Sequence, residues 1–223
     1  MKFARLLVSS IAGFTLVTLC LAAEDNLLTT QSPDGEIAGW KSFSETPAKT
    51  GDVWRLGSDG VLVCKGNPLG YLYTAKDYAD FKLTLEWRWP PGGKAGKGGV
   101  LIRMTGTHQV WPCSLEAQLN AGGAGDFWAL GGFKLGGSEQ RMKTLTHPKF
   151  GLLRNLPRLA GAEKPVGEWN TMEVTAKGGV VVIKMNGEDV NQCEGCSTVP
   201  GPILLTSEGT EIHYRNVRLR TEK

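Results

Sequence analysis

The stretch from Phe81 to Trp89 constrains this chain more than any other. Phe81, Leu83, Leu85, Trp87 and Trp89 alternate with Lys82, Thr84, Glu86 and Arg88. A period of two puts the five apolar side chains on one face of an extended strand and the polar ones on the other. Such a strand has to lie with one face on a core and one in water, and Pro90-Pro91 ends it. The same rhythm returns at 171–177 and 180–185, and no stretch shows a long helical period. Between the runs stand turn residues. Gly57-Ser58-Asp59-Gly60 joins 53–56 to 61–64, Gly178-Gly179 joins two further runs, and Asn186-Gly187 is the strongest hairpin signal present. Runs at 203–206 and 211–220 complete the pattern. In the last, Ile212 and Tyr214 fall out of step with Val217 and Leu219, which predicts a bulge near Arg215-Asn216.

About ten short strands joined by glycine turns predict an all-β fold, a two-sheet antiparallel β-sandwich. Thirty Gly and 11 Pro fit that reading and oppose a helical bundle. Residues 121–165 break the rhythm with many glycines and scattered aromatics, so they read as one long loop, functional or disordered.

The first residues carry an address. Lys2 and Arg5 precede an apolar stretch from Leu6 to Leu21 and the small pair Ala22-Ala23. That order predicts a signal peptide over 1–23 and an exported protein, periplasmic or extracellular. A single domain over 24–223 follows, its core at about 38–221, with no stable membrane span after the signal is removed. Removing Lys2 and Arg5 leaves 23 basic against 22 acidic residues, with no dense basic run, so nucleic acid is not an expected partner. Oligomeric state stays open. Export also changes how cysteines read. Cys64, Cys113, Cys193 and Cys196 are an even set for an oxidising compartment, and the expected bridges are Cys193 with Cys196 and Cys64 with Cys113.

Among motifs, HExxH, the Walker loop and GxSxG are absent, and His108, His147 and His213 are isolated. No cofactor is predicted, and a divalent metal requirement is left open. The positive signal is a polar face. Glu116, Gln118 and Asn120 alternate along one strand, so they project from one side of a sheet, with Arg103 expected beside them from the preceding strand. The bland alternative is a solvated outer face. Against it stand nearby Trp111, Phe127 and Trp128 and the long glycine-rich segment that follows. Aromatic faces stack on sugar C–H patches while carboxylate, amide and guanidinium groups hold hydroxyls, so the expected partner is a carbohydrate. Trp128 is the best stacking candidate. Glu86 and Arg88 share another strand face and can form an exposed ion pair.

Several short motifs, in order, are similar to the 3-keto-disaccharide hydrolase domain family, formerly a domain of unknown function. They are Gly39-Trp40, Asp59-Gly60, Asp80-Phe81-Lys82-Leu83, Glu86-Trp87-Arg88, Gly99-Val100-Leu101-Ile102-Arg103, Leu115-Glu116-Ala117-Gln118, Gly167-Glu168-Trp169-Asn170, Asn186-Gly187 and Glu208-Gly209. The resemblance implies a concanavalin A-like jelly roll and cleavage of a glycosidic bond in a sugar already oxidised at C3. A C3 ketone acidifies the C2 proton, so a base can remove it, the C1 substituent can leave, and water can add back. On that reading Glu116 is the base or acid, Arg103 clamps the enolate or a hydroxyl, and Gln118 orients. Glu86 and Arg88 are second-rank contacts, and His108 a proton donor or metal contact. Lys97-Gly98-Gly99 stands where the family commonly has Asn-Ser-Gly, and Asn120 where it commonly has Asp. Those two departures keep open a non-catalytic, lectin-like carbohydrate-binding sandwich.

Overall fold

A computed structural model describes residues 24–222; the signal peptide expected at 1–23 lies outside them. Its strands are β1 (Asp25–Asn26), β2 (Trp40–Ser44), β3 (Trp54–Leu56), β4 (Leu62–Cys64), β5 (Gly70–Thr74), β6 (Phe81–Arg88), β7 (Gly99–Thr105) and β8 (Cys113–Gln118). They continue with β9 (Phe127–Leu130), β10 (Lys143–His147), β11 (Gly151–Leu156), β12 (Asn170–Lys177), β13 (Val180–Met185), β14 (Glu188–Cys193), β15 (Leu204–Ser207) and β16 (Ile212–Thr221). One helical turn, α1 (Thr50–Val53), precedes β3. The strands form two antiparallel sheets. The first runs β14-β13-β12-β6-β16-β4-β3 with β1 beside β16, the second β10-β11-β9-β8-β7-β15-β5-β2. This is the all-β sandwich that the alternation predicts.

The apolar face of β6 explains how the layers adhere. Phe81, Leu83, Leu85 and Trp87 are fully buried against inward residues of the second sheet, among them Val100, Leu115, Ala117 and Phe127. Burying side chains of this size contributes about 1.5–3 kcal/mol each. The expected bulge in β16 is present: Arg215 pairs with Glu86 but Arg218 with Thr84, and Asn216 has φ 51°. Asn186 and Gly187 both take positive φ in the β13–β14 turn.

Two expectations do not hold. Residues 121–165 are not one loop but contain β9, β10 and β11, which extend the second sheet. These strands are short, and β10 is largely exposed, so little apolar alternation marks them in sequence. The four cysteines among the described residues are also free. Cys64 and Cys113 lie on different sheets, Cys64 with its sulfur 3.9 Å from Thr206 O and Cys113 opposite Thr105. Cys193 and Cys196 hold their sulfurs 3.2 Å apart, outside the roughly 2.05 Å of a bond.

The second sheet has a further apolar layer on the face turned away from the core. Tyr71, Leu101, Met104, Leu130, Leu153 and Leu204 are buried there, with Trp111, Trp128 and Phe150 packed on them. An outer face would be polar if it met only water. Here the covering layer builds the walls of a site.

Candidate functional site

Glu116 is the centre of a cross-strand row on that outer face. It pairs with Leu101 on β7 and with Trp128 on β9. Above the row is a cavity of about 180 Å³. Strand β8 contributes Glu116 and Gln118, with Asn120 just beyond it; β9 adds Trp128 and Leu130. The β10–β11 hairpin supplies Leu145, His147 and Leu153, and the chain before β7 supplies Lys97. Glu208, one residue past the end of β15, completes the lining with Trp111.

Two carboxylic acids therefore face one small space. Glu116 is only 5% exposed, and burial pushes its carboxyl well above the ordinary carboxylate value, with Glu208 and then Asp126 adding repulsion. Burial also raises Glu208, but a hydrogen bond from Thr206 and the nearby Lys97 charge pull the other way. Glu116 is thus the proton holder of the pair and Glu208 the member more readily ionised. Pairs whose environments push them apart supply an acid and a base at one pH.

Gly99 makes room for this arrangement. A β-carbon on it would stand 2.5 Å from Glu116 Oε1, and its N–H donates to Thr206 Oγ1 at 2.7 Å. The Gly99→Ala substitution is expected to displace the Glu116 carboxyl. The predicted result is a loss of at least about tenfold in activity with the melting temperature changed little, because about 1 Å of misplacement can cost up to a hundredfold. Wild-type turnover in that variant would contradict the packing.

Two polar atoms of lining residues have no protein partner. Glu208 Oε1 and Trp128 Nε1 are buried with no hydrogen-bond partner among the described residues. Native proteins rarely leave buried polar atoms unpaired, and each costs about 1–3 kcal/mol until a partner arrives. One is an acceptor and the other a donor, as hydroxyl groups require. His147 Nδ1 accepts from the N–H groups of Lys149 (3.1 Å) and Phe150 (3.3 Å), so the neutral ring carries its proton on Nε2. Among the described residues no cluster of three or more His, Cys, Asp or Glu is arranged for a metal.

The cavity unites five of the residues singled out in sequence: Glu116, Gln118, Asn120, Trp128 and Lys97. Asn120 has a second task, its Oδ1 accepting from Gly98 N–H at 3.1 Å and so tying down the chain before β7. The other four lie elsewhere. Arg103 is the main correction. Between Ile102 and Thr105 strand β7 spends one residue more than β8, and Arg103 takes φ 53° there. The bulge turns the side chain away from Glu116. Its guanidinium instead donates to Ala79 O, Gly178 O, Ser197 O and Asp80 Oδ1 at 2.7–3.1 Å and is 0% exposed. It clamps loops and is not part of the cavity lining. Glu86 and Arg88 sit on the outer face of the other sheet, Glu86 paired with Arg215. Arg88 lies over the Trp169 ring at 4.4 Å, with Arg215 at 4.1 Å. His108 stands in a separate aromatic cluster, its Nδ1 2.8 Å from Tyr71 Oη and its ring 4.7 Å from that of Tyr73. Phe127 is core.

Strand patterning does not mark Glu208 as a site residue. Leu204, Thr206 and Glu208 share one side of β15 and its extension, but Glu208 follows the apolar run and reads as a turn.

The family model described as the 3-keto-alpha-glucoside-1,2-lyase-like domain matches residues 29–220. The chain belongs to this family. No curated protein sequence matches it. Among solved structures, a candidate glycosyl hydrolase of Parabacteroides distasonis is similar at TM-score 0.57 and 20% identity, covering 83% of this chain and 89% of that one. The non-specific endo-beta-1,3(4)-glucanase SCLam of family GH16 is similar at 0.56 and 12%, covering 90% of each chain. The carbohydrate-binding module CBM66 of Bacillus subtilis follows at 0.55 and 11%, covering 82% and 96%. These likenesses establish the concanavalin A-like jelly roll. Within the family the Glu116–Glu208 cavity is this chain's own candidate centre.

Proposed function

We propose that this protein cleaves the glycosidic bond of 3-keto-glycosides in the Glu116–Glu208 cavity. Family membership supports a carbohydrate-active protein. The observation that carries the reading is the buried pair of unlike carboxyls beside an unpartnered donor and acceptor. In the proposed reaction the Glu208 carboxylate removes the proton at C2, made acidic by the C3 ketone. The electron pair forms the C1–C2 double bond as the C1–O bond breaks, and the leaving oxygen takes the proton held by Glu116. Water then adds its hydroxyl to C1 and a proton to C2, so one water is consumed and both carboxyls return to their starting states. Lys97, Trp128 Nε1 and His147 are the lining donors that can stabilise negative charge on the C3 oxygen. Arg103 has no part in it. This route needs one base and one acid rather than the two spaced carboxylates that flank a bond in ordinary glycosidases.

The reading includes export, on the leader-like residues 1–23. It is tested by incubating the purified chain with 3-keto-trehalose, a 3-keto-glucoside and their unoxidised parents, with EDTA or added Mn²⁺ or Ca²⁺. Release of product from the keto substrates alone is expected. Cleavage of the unoxidised parents would overturn the reading, and binding without cleavage throughout would establish the lectin-like alternative. Activity lost in EDTA and restored by one cation would add a metal to the mechanism.

A further inference from the structure

We infer that the site takes a single terminal sugar ring end-on and prefers glycosides whose aglycone is apolar. The inference rests on the carbohydrate reading of the Glu116–Glu208 cavity but not on its elimination chemistry. At about 180 Å³ the cavity is smaller than the roughly 300–1,000 Å³ of sites that enclose a drug-sized ligand. One ring fits, and the rest of the substrate lies outside. The inner lining gives no way through, because Glu116, Leu130 and Leu153 are buried. The aglycone must therefore cross the rim.

Two lining residues are exposed, Lys97 and Leu145. Lys97 is turned to electrostatic use beside Glu208. Leu145 is 49% exposed on the edge strand β10. It pairs with buried Leu153, and behind it Trp111 and His147 pack on Phe150 with ring centres 4.3 and 4.7 Å apart. Of the exposed large apolar side chains among the described residues, which include Leu152, Leu159 and Val199, Leu145 alone lines this cavity. Leu145 at the mouth of a polar-centred cavity offers an apolar shelf to the group bonded at C1. A second sugar, ringed with hydroxyls, gains little there, whereas an alkyl or aryl ring covers it.

The test separates this shelf from the chemistry. In the slowed Glu116→Gln protein, the affinities of methyl, cyclohexyl and glucosyl 3-keto-glucosides are measured by calorimetry at times short against its residual turnover, with and without Leu145→Asn. The cyclohexyl compound is expected to bind about tenfold more tightly than the methyl and glucosyl compounds, for the apolar area it removes from water. Leu145→Asn is expected to abolish that ratio, and a melting curve shows the variant folded. Equal affinities, tighter binding of the glucosyl compound, a ratio that survives Leu145→Asn, or no binding of any of the three would overturn the inference. Failure of wild-type cleavage with the ratio intact would instead overturn only the elimination reading.

Discussion

Replacing Glu116 or Glu208 with Gln is expected to lower kcat by about 10²–10⁴-fold, the range for removing a positioned general acid or base. The double variant should lose little more than the worse single one, since the two act as a unit. Glutamine keeps the volume and leaves the fold intact, so the loss belongs to proton transfer. Stability should move the other way. Burial raises the Glu116 carboxyl above its ordinary value of 4.5. Above that pH the unfolded chain has lost a proton that the folded chain still holds. Folding stability therefore falls as pH rises from there toward the raised folded value. Glu116→Gln escapes this penalty. It should melt a few degrees higher than wild type at pH 8, the gap closing toward pH 4. A variant with wild-type kcat, or one destabilised at pH 8, contradicts the assignment.

The second large effect concerns Arg103, where activity should survive and stability should not. Its guanidinium satisfies three backbone carbonyls and pairs with Asp80 from a fully buried position. Arg103→Met is expected to cost about 3–5 kcal/mol, because the carbonyls of Ala79, Gly178 and Ser197 lose their donor at about 1–3 kcal/mol each. For a chain of this length that is a fall of roughly 6–20 °C in melting temperature, at about 2–4 °C per kcal/mol. Turnover per folded molecule, measured well below the transition, should stay within a factor of about three of wild type, because Arg103 meets no part of the cavity. Loss of kcat in a protein that melts normally would return Arg103 to the catalytic group.

These two residues show where sequence reading reached and where it stopped. Glu116, Gln118 and Asn120 were legible because a strand's period is fixed: alternate residues share a face whatever packs around them. The bulge in β16 was legible for the same reason, as the apolar positions change phase across Arg215-Asn216. The bulge in β7 was not. Val100, Leu101, Ile102 and Met104 are all buried, since both faces of that strand are covered, so no apolar–polar alternation exists to lose its phase. The extra residue that turns Arg103 away is silent in sequence. Strands β9 to β11 were missed because they are short and β10 is exposed, and with them went the hairpin that walls the site with Leu145, His147 and Leu153. Glu208 reaches Glu116 only because β15 lies on the far side of β7, a long-range pairing that local pattern does not encode.

The central claim is that one carboxyl of the pair removes the C2 proton. It is tested most directly by running the cleavage of a 3-keto-glucoside in D₂O and reading C2 of the released sugar by NMR at early times, against an enzyme-free control. Deuterium at C2 in the wild-type product, formed at the rate of cleavage and slowed alike in Glu208→Gln, is the expected result. Cleavage that keeps the original hydrogen at C2 and shows no primary isotope effect with a C2-deuterated substrate would show direct displacement at C1 and contradict the account.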